Sequence, residues 1–220
     1  MSPAASIRIM PVQNRGKAKD YFCTIGRIIL FTSYCSSAKV THHSIMTESL
    51  QIAQLGNPIL QQQAYLVDNV REERLQQLID ALLITASASN GVGIAAPQVS
   101  KSYRLFIVAS RPNARYPNAP LMEPTAMINP QIITHSTEIV KGWEGCLSIP
   151  GIRGLVPRFQ AIEVEYTTRD GQLHRQELTD FVARIFQHEY DHLDGIIFLD
   201  RVESTQDLMS EQEYQQRIVQ

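Results

Sequence analysis

Two histidines four residues apart, with a glutamate directly after the first, are the most informative residues of this 220-residue chain. They are His188 and His192, with Glu189 between them. Residues i and i+4 share one face of an α-helix, so both imidazoles can reach a single metal ion. The glutamate lies beside that face and can take a proton from a water molecule that the metal activates. The spacing therefore indicates metal-assisted hydrolysis.

The residues around this motif predict a helix. Thr179 or Asp180 can cap its start by accepting a hydrogen bond from a backbone N–H, and Gly195 suits the left-handed conformation just past a helix end. A stripe that begins apolar and ends in two ligands is expected for a helix under a buried site. The stripe consists of Phe181, Ile185, His188 and His192.

A catalytic site of the zinc type needs a third protein ligand. Residues 193–220 contain no histidine, but three glutamates there leave a carboxylate ligand open: Glu203, Glu211 and Glu213. Upstream, Cys146 stands between a glycine and a leucine. A lone cysteine in such a setting is either a ligand or a small buried apolar residue.

A third segment, 90–98, contains two glycines and two alanines. Small residues of this kind let a substrate backbone approach closely. The alternative is a helix end followed by a packed turn. A phosphate-binding loop is disfavoured, because the segment lacks the Gly-Lys-Ser/Thr and the glycine spacing of nucleotide-binding motifs.

Together, the three segments resemble the three signatures of the peptide deformylases, which read G-x-G-x-A-A-x-Q, E-G-C-L-S and Q-H-E-x-D-H. Residues 91–98, 144–148 and 187–192 match them without a departure, and the resemblance spans about residues 50–201. It implies a metallohydrolase that removes the N-formyl group from the N-terminal methionine of nascent polypeptides and releases formate.

The resemblance also implies a role for each matching residue. Cys146, His188 and His192 would bind the metal, and Glu189 would be the general base and acid. The Gln98 amide and the backbone N–H of Leu147 would donate to the oxyanion. The implied substrate contacts are Val92, Gly93 and Gly145 along the peptide backbone, Arg153 near its path, and Phe181 and Ile185 around the methionine side chain. Arg158 is expected to pair with a buried carboxylate such as Glu144 or Asp191.

One divalent metal ion is therefore expected. A thiolate with two imidazoles suits Zn²⁺ or Fe²⁺. The family resemblance favours Fe²⁺ as the native ion, with Zn²⁺, Ni²⁺ or Co²⁺ as alternatives.

The first 45 residues differ in charge from the rest. They carry six Lys or Arg and one acidic residue, whereas the whole chain has a net charge of −2. Three explanations are open: translation from a start upstream of Met46, an organelle transit peptide, or a secretory signal, of which we favour the first. Residues 1–45 are expected to be disordered and dispensable, with the catalytic domain at 46–220. A cytoplasmic location follows, or a plastid or mitochondrion if the segment is a transit peptide.

The coarse pattern predicts an α+β fold, with antiparallel strands packed around the central metal-binding helix that carries His-Glu-x-x-His. A helix is predicted at 68–88 from its apolar spacing, and a polar segment at 206–219 as a final helix. A hairpin turn is expected at 169–171. The predicted strands are 105–108, 127–133, 161–167, 173–178 and a short one at 196–199.

The expected partner is an N-formyl-Met nascent peptide, with transient ribosome association. No direct nucleic-acid site and no membrane role are evident from the charge and from the short apolar run 25–32, and we expect a monomer. Two rival functions remain: a His-Glu-x-x-His metalloprotease, and an inactive relative that binds peptides or holds a structural metal. The Cys146 segment and Gln98 argue against the protease, and Glu189 and Gln98 argue against the inactive relative.

Overall fold

The computed structural model describes residues 20–25, 28–33 and 49–219. The chain divides into two units, Met1–Ser44 and Ile45–Gln220. In the first, β1 (Asp20–Ile25) and β2 (Ile28–Ser33) pair antiparallel as a hairpin, which the sequence did not predict. Disorder elsewhere in residues 1–45 falls outside the described ranges and stays a prediction.

Residues 49–219, the described part of the second unit, form two antiparallel sheets and three α-helices, which confirms the α+β class. The larger sheet has the order β3-β4-β5-β8-β9. Its strands are β3 (Gly93–Ala95), β4 (Leu105–Val108), β5 (Thr125–His135), β8 (Ala161–Thr167) and β9 (Leu173–Thr179). Predicted strands correspond to all of these except β3.

The smaller sheet has the order β10-β7-β6 and was missed by sequence. It consists of β6 (Ile139–Cys146), β7 (Ile149–Phe159) and β10 (Leu208–Ser210). Prolines and glycines interrupt the pattern of β7, and such residues argue against a central strand. β10 pairs only with residues 152–154, so Pro150 and Pro157 lie where β7 has no neighbour on that side.

The three helices are α1 (Glu73–Ala88), α2 (Asp180–Leu193) and α3 (Glu211–Arg217). α1 begins five residues later than predicted, because the Asn69 side chain accepts from the Arg71 N–H and holds a turn before it. The predicted final helix is shortened by β10, and the Ser210 hydroxyl then caps α3 by accepting from the Glu213 N–H. The strand predicted at 196–199 is wrong: Phe198–Arg201 forms a 3₁₀ turn, with Asp200 accepting from the Ile197 N–H.

The helix α2 packs one face on the larger sheet. Ala183, Phe186 and Leu193 are fully buried, and Phe186 meets Phe106 of β4 edge to face, with ring centroids 5.1 Å apart. Its other face, with His188 and His192, turns towards the end of β6. Thr179 precedes the helix without a side-chain capping bond, whereas Gly195 has φ 72°, as predicted. Among the described residues, no helix is long and apolar enough to cross a membrane.

Candidate active site

The end of β6 brings Cys146 to the two histidines of α2. All three side chains are buried, and their potential ligand atoms lie within 4.8 Å of one another. The Cys146 Sγ is 3.3 Å from the His192 Nε2. The structure therefore brings together the three residues that the sequence proposed as ligands, although Cys146 precedes the two histidines by 42 and 46 residues in the chain.

The three glutamates that stood as alternative ligands lie elsewhere. Glu203 pairs with Lys141, Glu211 with Arg153 and Glu213 with Arg217.

The chemistry of the donor set fits a divalent metal. Burial alone would raise the pKa of the Cys146 thiol, but the charge of His192 and hydrogen bonds with both histidines hold that pKa well below its usual value. A buried thiolate with two imidazoles is costly unless the groups share a cation. Two buried atoms have no hydrogen-bond partner among the described residues, His192 Nδ1 and Glu189 Oε2.

Glu144 fixes the orientation of His188. Its Oε2 accepts from the His188 Nδ1–H at 2.9 Å, which leaves Nε2 as the nitrogen that faces the ligand cluster. Arg158 donates to both oxygens of Glu144, at 2.9 and 3.0 Å, and Arg184 donates to Oε1 at 3.0 Å. Burial opposes ionisation of Glu144, but the charge of Arg158 and the bonds from His188 and Arg158 hold its pKa far below the usual value.

Arg158 bridges two buried carboxylates. Besides Glu144, it reaches Asp191 Oδ2 through Nη1 at 2.6 Å, and Arg201 holds Asp191 Oδ1 at 2.7 Å. Burial acts against the charge of Arg158, but the two carboxylates raise its pKa above the ordinary value. Both partners suggested for Arg158 by sequence are therefore present.

Glu189 lies beside this cluster without a fixed partner for Oε2. Its side chain is buried, and burial raises its pKa to about 7. Gly93 of β3 leaves the space that the carboxylate occupies, since a Cβ there would stand 2.9 Å from the Glu189 Cδ. A carboxylate with a pKa near neutrality suits proton transfer at neutral pH.

The Gln98 side chain is held with its amide group towards the cluster. Its Oε1 accepts from the Ala95 N–H at 2.8 Å, and its Nε2 donates to the Cys146 Sγ at 3.3 Å and the Ser148 Oγ at 3.2 Å. Because Oε1 is held by the Ala95 N–H, the amide presents its N–H groups to the ligand cluster, where they donate to Cys146 and Ser148.

A cavity opens onto these residues. Ten of the twelve residues predicted for the site line it: Val92, Gly93, Gln98, Gly145, Cys146, Leu147, Phe181, Ile185, His188 and Glu189. His192 lies behind the wall, 1% exposed, where its Nε2 contacts Cys146.

Comparisons with known proteins agree with this arrangement. A family model described as polypeptide deformylase matches residues 49–207. The chain belongs to the polypeptide deformylase family. It is 68% identical over 171 residues to peptide deformylase 2 of Nostoc sp., an alignment that covers 78% of this chain and 96% of that relative. It is 49% identical over 164 residues to peptide deformylase 2 of Shewanella oneidensis, covering 74% and 90%.

Solved structures give the same result. A Met-Ala-Ser-bound class I type b peptide deformylase from Acinetobacter baumannii is similar with a TM-score of 0.70 and 46% identity, over 71% of this chain and 100% of that one. A peptide deformylase from Synechococcus elongatus in complex with actinonin is similar with a TM-score of 0.64 and 33% identity, over 73% and 85%.

In this member of the deformylase family, Arg153 was expected near the peptide path, but it does not line the cavity. Its side chain is fully buried, and its Nε and Nη2 donate to the two oxygens of Glu211 at 2.6 and 2.8 Å. Its Nη1 donates to the Tyr116 hydroxyl at 2.8 Å, and its guanidinium lies over the rings of Tyr116 and Tyr214. Arg153 therefore supports the wall behind Gly145.

The sequence missed four residues that line the cavity: Arg115, Tyr116, Trp143 and Arg184. Arg184 could have been found, since it precedes His188 by one helical turn on the same face. Arg115 and Tyr116 lie in the irregular segment between β4 and β5, where no periodicity marks which side chains turn inward.

Proposed function

We propose that Cys146, His188 and His192 hold one divalent metal, and that with Glu189 they form the machinery by which this deformylase removes the N-formyl group from the N-terminal methionine of nascent polypeptides. Formate is the other product. The observation that carries the proposal is the convergence of three buried ligand atoms within 4.8 Å, beside a carboxylate that has one oxygen unpartnered.

A bound divalent cation would supply a Lewis acid that polarises the formyl carbonyl and makes water acidic enough to react at neutral pH. The thiolate and imidazole donors fit Fe²⁺ and Zn²⁺. We infer Fe²⁺ as the native ion, with Zn²⁺, Ni²⁺ or Co²⁺ able to take the same site. α2 is then the metal-binding helix at the centre of the fold.

The protein's own groups would move the proton and stabilise charge. Glu189 accepts the proton of the attacking water and passes it to the leaving amine, a task that its pKa of about 7 suits. The Gln98 amide and the Leu147 backbone N–H donate to the oxygen of the formyl group as it gains charge. One such donor is typically worth about 3 kcal/mol of transition-state stabilisation.

The cavity walls suit an extended peptide that begins with methionine. Phe181 and Ile185 supply apolar surface for the methionine side chain. Val92, Gly93 and Gly145 leave room for a peptide backbone to pair as an added strand. The Acinetobacter baumannii relative binds Met-Ala-Ser, which is the product expected from a formylated peptide of that sequence.

Substrate discrimination tests the proposal against its two rivals. The metal-loaded protein is incubated with formyl-Met-Ala-Ser and, separately, with a longer peptide that is acetylated at its N-terminus. Formate release from the first and no cleavage of the second is expected. Cleavage of internal peptide bonds would favour a metalloprotease, and binding of the formylated peptide without formate release would favour a binding protein.

We infer that residues 46–220 carry the whole activity. Deleting residues 1–45 should leave formate release unchanged, and a large loss would overturn that inference. Because the substrate is a nascent chain, we infer that the enzyme contacts the ribosome transiently. We place it in the cytoplasm and expect it to be a monomer.

A further inference from the structure

Arg115 stands in the wall of the catalytic cavity without a role in the proposed reaction. It belongs to the segment between β4 and β5, and its side chain is half-buried. Its guanidinium packs directly over Gly145, where a Cβ would stand 2.8 Å from Nη2. Gly145 is one of the positions along which the substrate backbone is expected to lie, so the cation of Arg115 faces the same space.

Arg115 has no carboxylate partner among the described residues. Glu211 is near enough for the charge of Arg115 to help lower its pKa, after the larger effect of the Arg153 hydrogen bonds. Both oxygens of Glu211 are taken by Arg153, however. The cavity's other guanidinium, that of Arg184, pairs with Glu144. One positive charge is therefore left for a molecule in the cavity.

The segment around Arg115 is held in place by its neighbours. The Asn113 side chain accepts from the backbone N–H groups of Arg115 and Tyr116 at 2.8 and 3.0 Å. The Tyr116 hydroxyl accepts from Arg153, and its ring lies 5.1 Å from that of Phe181. A cation presented from a fixed backbone loses less entropy when it binds a charged ligand.

We propose that Arg115 is a specificity residue that binds a carboxylate on the third residue of the substrate, an inference that rests on the proposed function. In an extended peptide, alternate side chains lie on one face, so residues one and three are about 7 Å apart on the same side. Tyr116, the next residue after Arg115, packs against Phe181, which lies at the expected methionine pocket. A guanidinium is suited to carboxylates because it can donate two parallel hydrogen bonds.

The test compares amidated formyl-Met-Ala-Glu with amidated formyl-Met-Ala-Gln. The wild type should favour the Glu peptide in kcat/KM by about five-fold at low ionic strength, as expected for a partly exposed charge pair, and less at high salt. The substitution Arg115→Gln should bring the ratio to about one. Arg115→Lys should keep part of the preference, because the charge remains but the paired geometry is lost.

Arg111 is the matched control. It lies four residues earlier in the same segment, does not line the cavity, and donates to the Ser87 carbonyl at 3.1 Å. Arg111→Gln should keep the wild-type ratio. Equal loss of preference in both variants would overturn the proposal, because it would show a general charge effect.

Two further peptides locate the carboxylate. A preference for Glu at position two but not three would overturn the assignment to the third residue. A preference for the free acid of formyl-Met-Ala-Gln over its amide, with none for the Glu side chain, would place the partner at the C-terminus of the peptide. That result would also overturn the proposal.

Failure of this inference can be told from failure of the proposed function. Formate release from the amidated Gln peptide with a Glu/Gln ratio of one would refute this inference and leave the deformylase function intact. No release from any peptide would refute both.

Discussion

The Glu144 Oε2 and the His188 Nδ1 are 2.9 Å apart, and this hydrogen bond decides which nitrogen His188 presents to the ligand cluster. The bond joins β6 to α2, the two elements that carry the three ligands. Glu144 is itself held by Arg158 and Arg184. The geometry of the site therefore depends on buried ion pairs that hold the ligand residues in place.

Replacing Arg158 should weaken both the fold and the metal site, although Arg158 is not itself a ligand. Arg158→Leu removes one partner from both Glu144 and Asp191, which are 4% and 7% exposed at their side chains. Removing one member of a buried pair typically costs about 3–5 kcal/mol, because a charge is left uncompensated. We expect that loss in urea unfolding, and about 10- to 100-fold weaker metal binding in competition with a chelator.

Arg175→Leu is the control for this variant. Arg175 also makes two hydrogen bonds to one carboxylate, at 2.7 and 2.8 Å from Glu163, but on the exposed face of β9. Exposed pairs contribute little, so stability and metal retention should stay close to the wild type. An Arg158→Leu protein that behaved like Arg175→Leu would contradict the supporting role of the buried pairs.

Glu189 should make the stability of the metal-free protein depend on pH. Burial raises its pKa from 4.5 to about 7, so the folded state holds a proton that the unfolded state releases between these values. The unfolding free energy should therefore fall as pH rises through that window, by about 3 kcal/mol in total. Glu189→Gln has no proton to lose at this position and should escape the fall.

Urea unfolding of metal-free wild type and Glu189→Gln at pH 4.5 and pH 8 measures this effect. The two proteins should be similar at the lower pH, and the Gln variant should be more stable at the higher. Equal stability at both pH values would show that burial does not perturb Glu189.

A side chain at Gly93 should be harmful because it would crowd the Glu189 carboxylate, and not because of the Gly93 backbone conformation. In Gly93→Ala the new Cβ would stand 2.9 Å from both Cγ and Cδ of Glu189, so the carboxylate must move. A shift of about 1 Å can cost about 100-fold in rate, and we expect a fall of that order in kcat with the metal retained.

Gly91→Ala separates this effect from crowding. Its Cβ would meet Leu147 Cδ1 at 3.1 Å and the Gly93 carbonyl at 3.2 Å, with no close contact to Glu189. A smaller loss of kcat is expected for this variant. Equal losses in the two variants would mean that the glycines matter for packing alone.

Contiguous motifs explain why most of the site could be predicted from the sequence. His188, Glu189 and His192 share one helix, whose face follows from its period, and Gln98 lies in a segment with its own pattern. The central strands of the larger sheet were also predicted, because each is a continuous segment with its own apolar pattern. Leu105–Val108 and Ala161–Thr167 have the predicted bounds, because burial imposes a regular pattern on them.

Residues positioned by distant partners could not be predicted. The place of Arg153 depends on Glu211, 58 residues later, and on Tyr116, 37 residues earlier. Nothing near Arg153 in the chain signals that these partners would draw it away from the cavity. The same holds for β7, whose prolines are tolerated only because β10 is short.

Formate release from formyl-Met-Ala-Ser by anaerobically purified protein, with metal content read in the same sample, tests the central claim most directly. Wild type and Glu189→Ala should contain equal amounts of metal, because Glu189 is not a ligand. The wild type should release formate, and the variant should lose at least about 100-fold in rate, since it lacks the group that moves the proton. A Glu189→Ala protein that keeps both its metal and its activity would contradict the account.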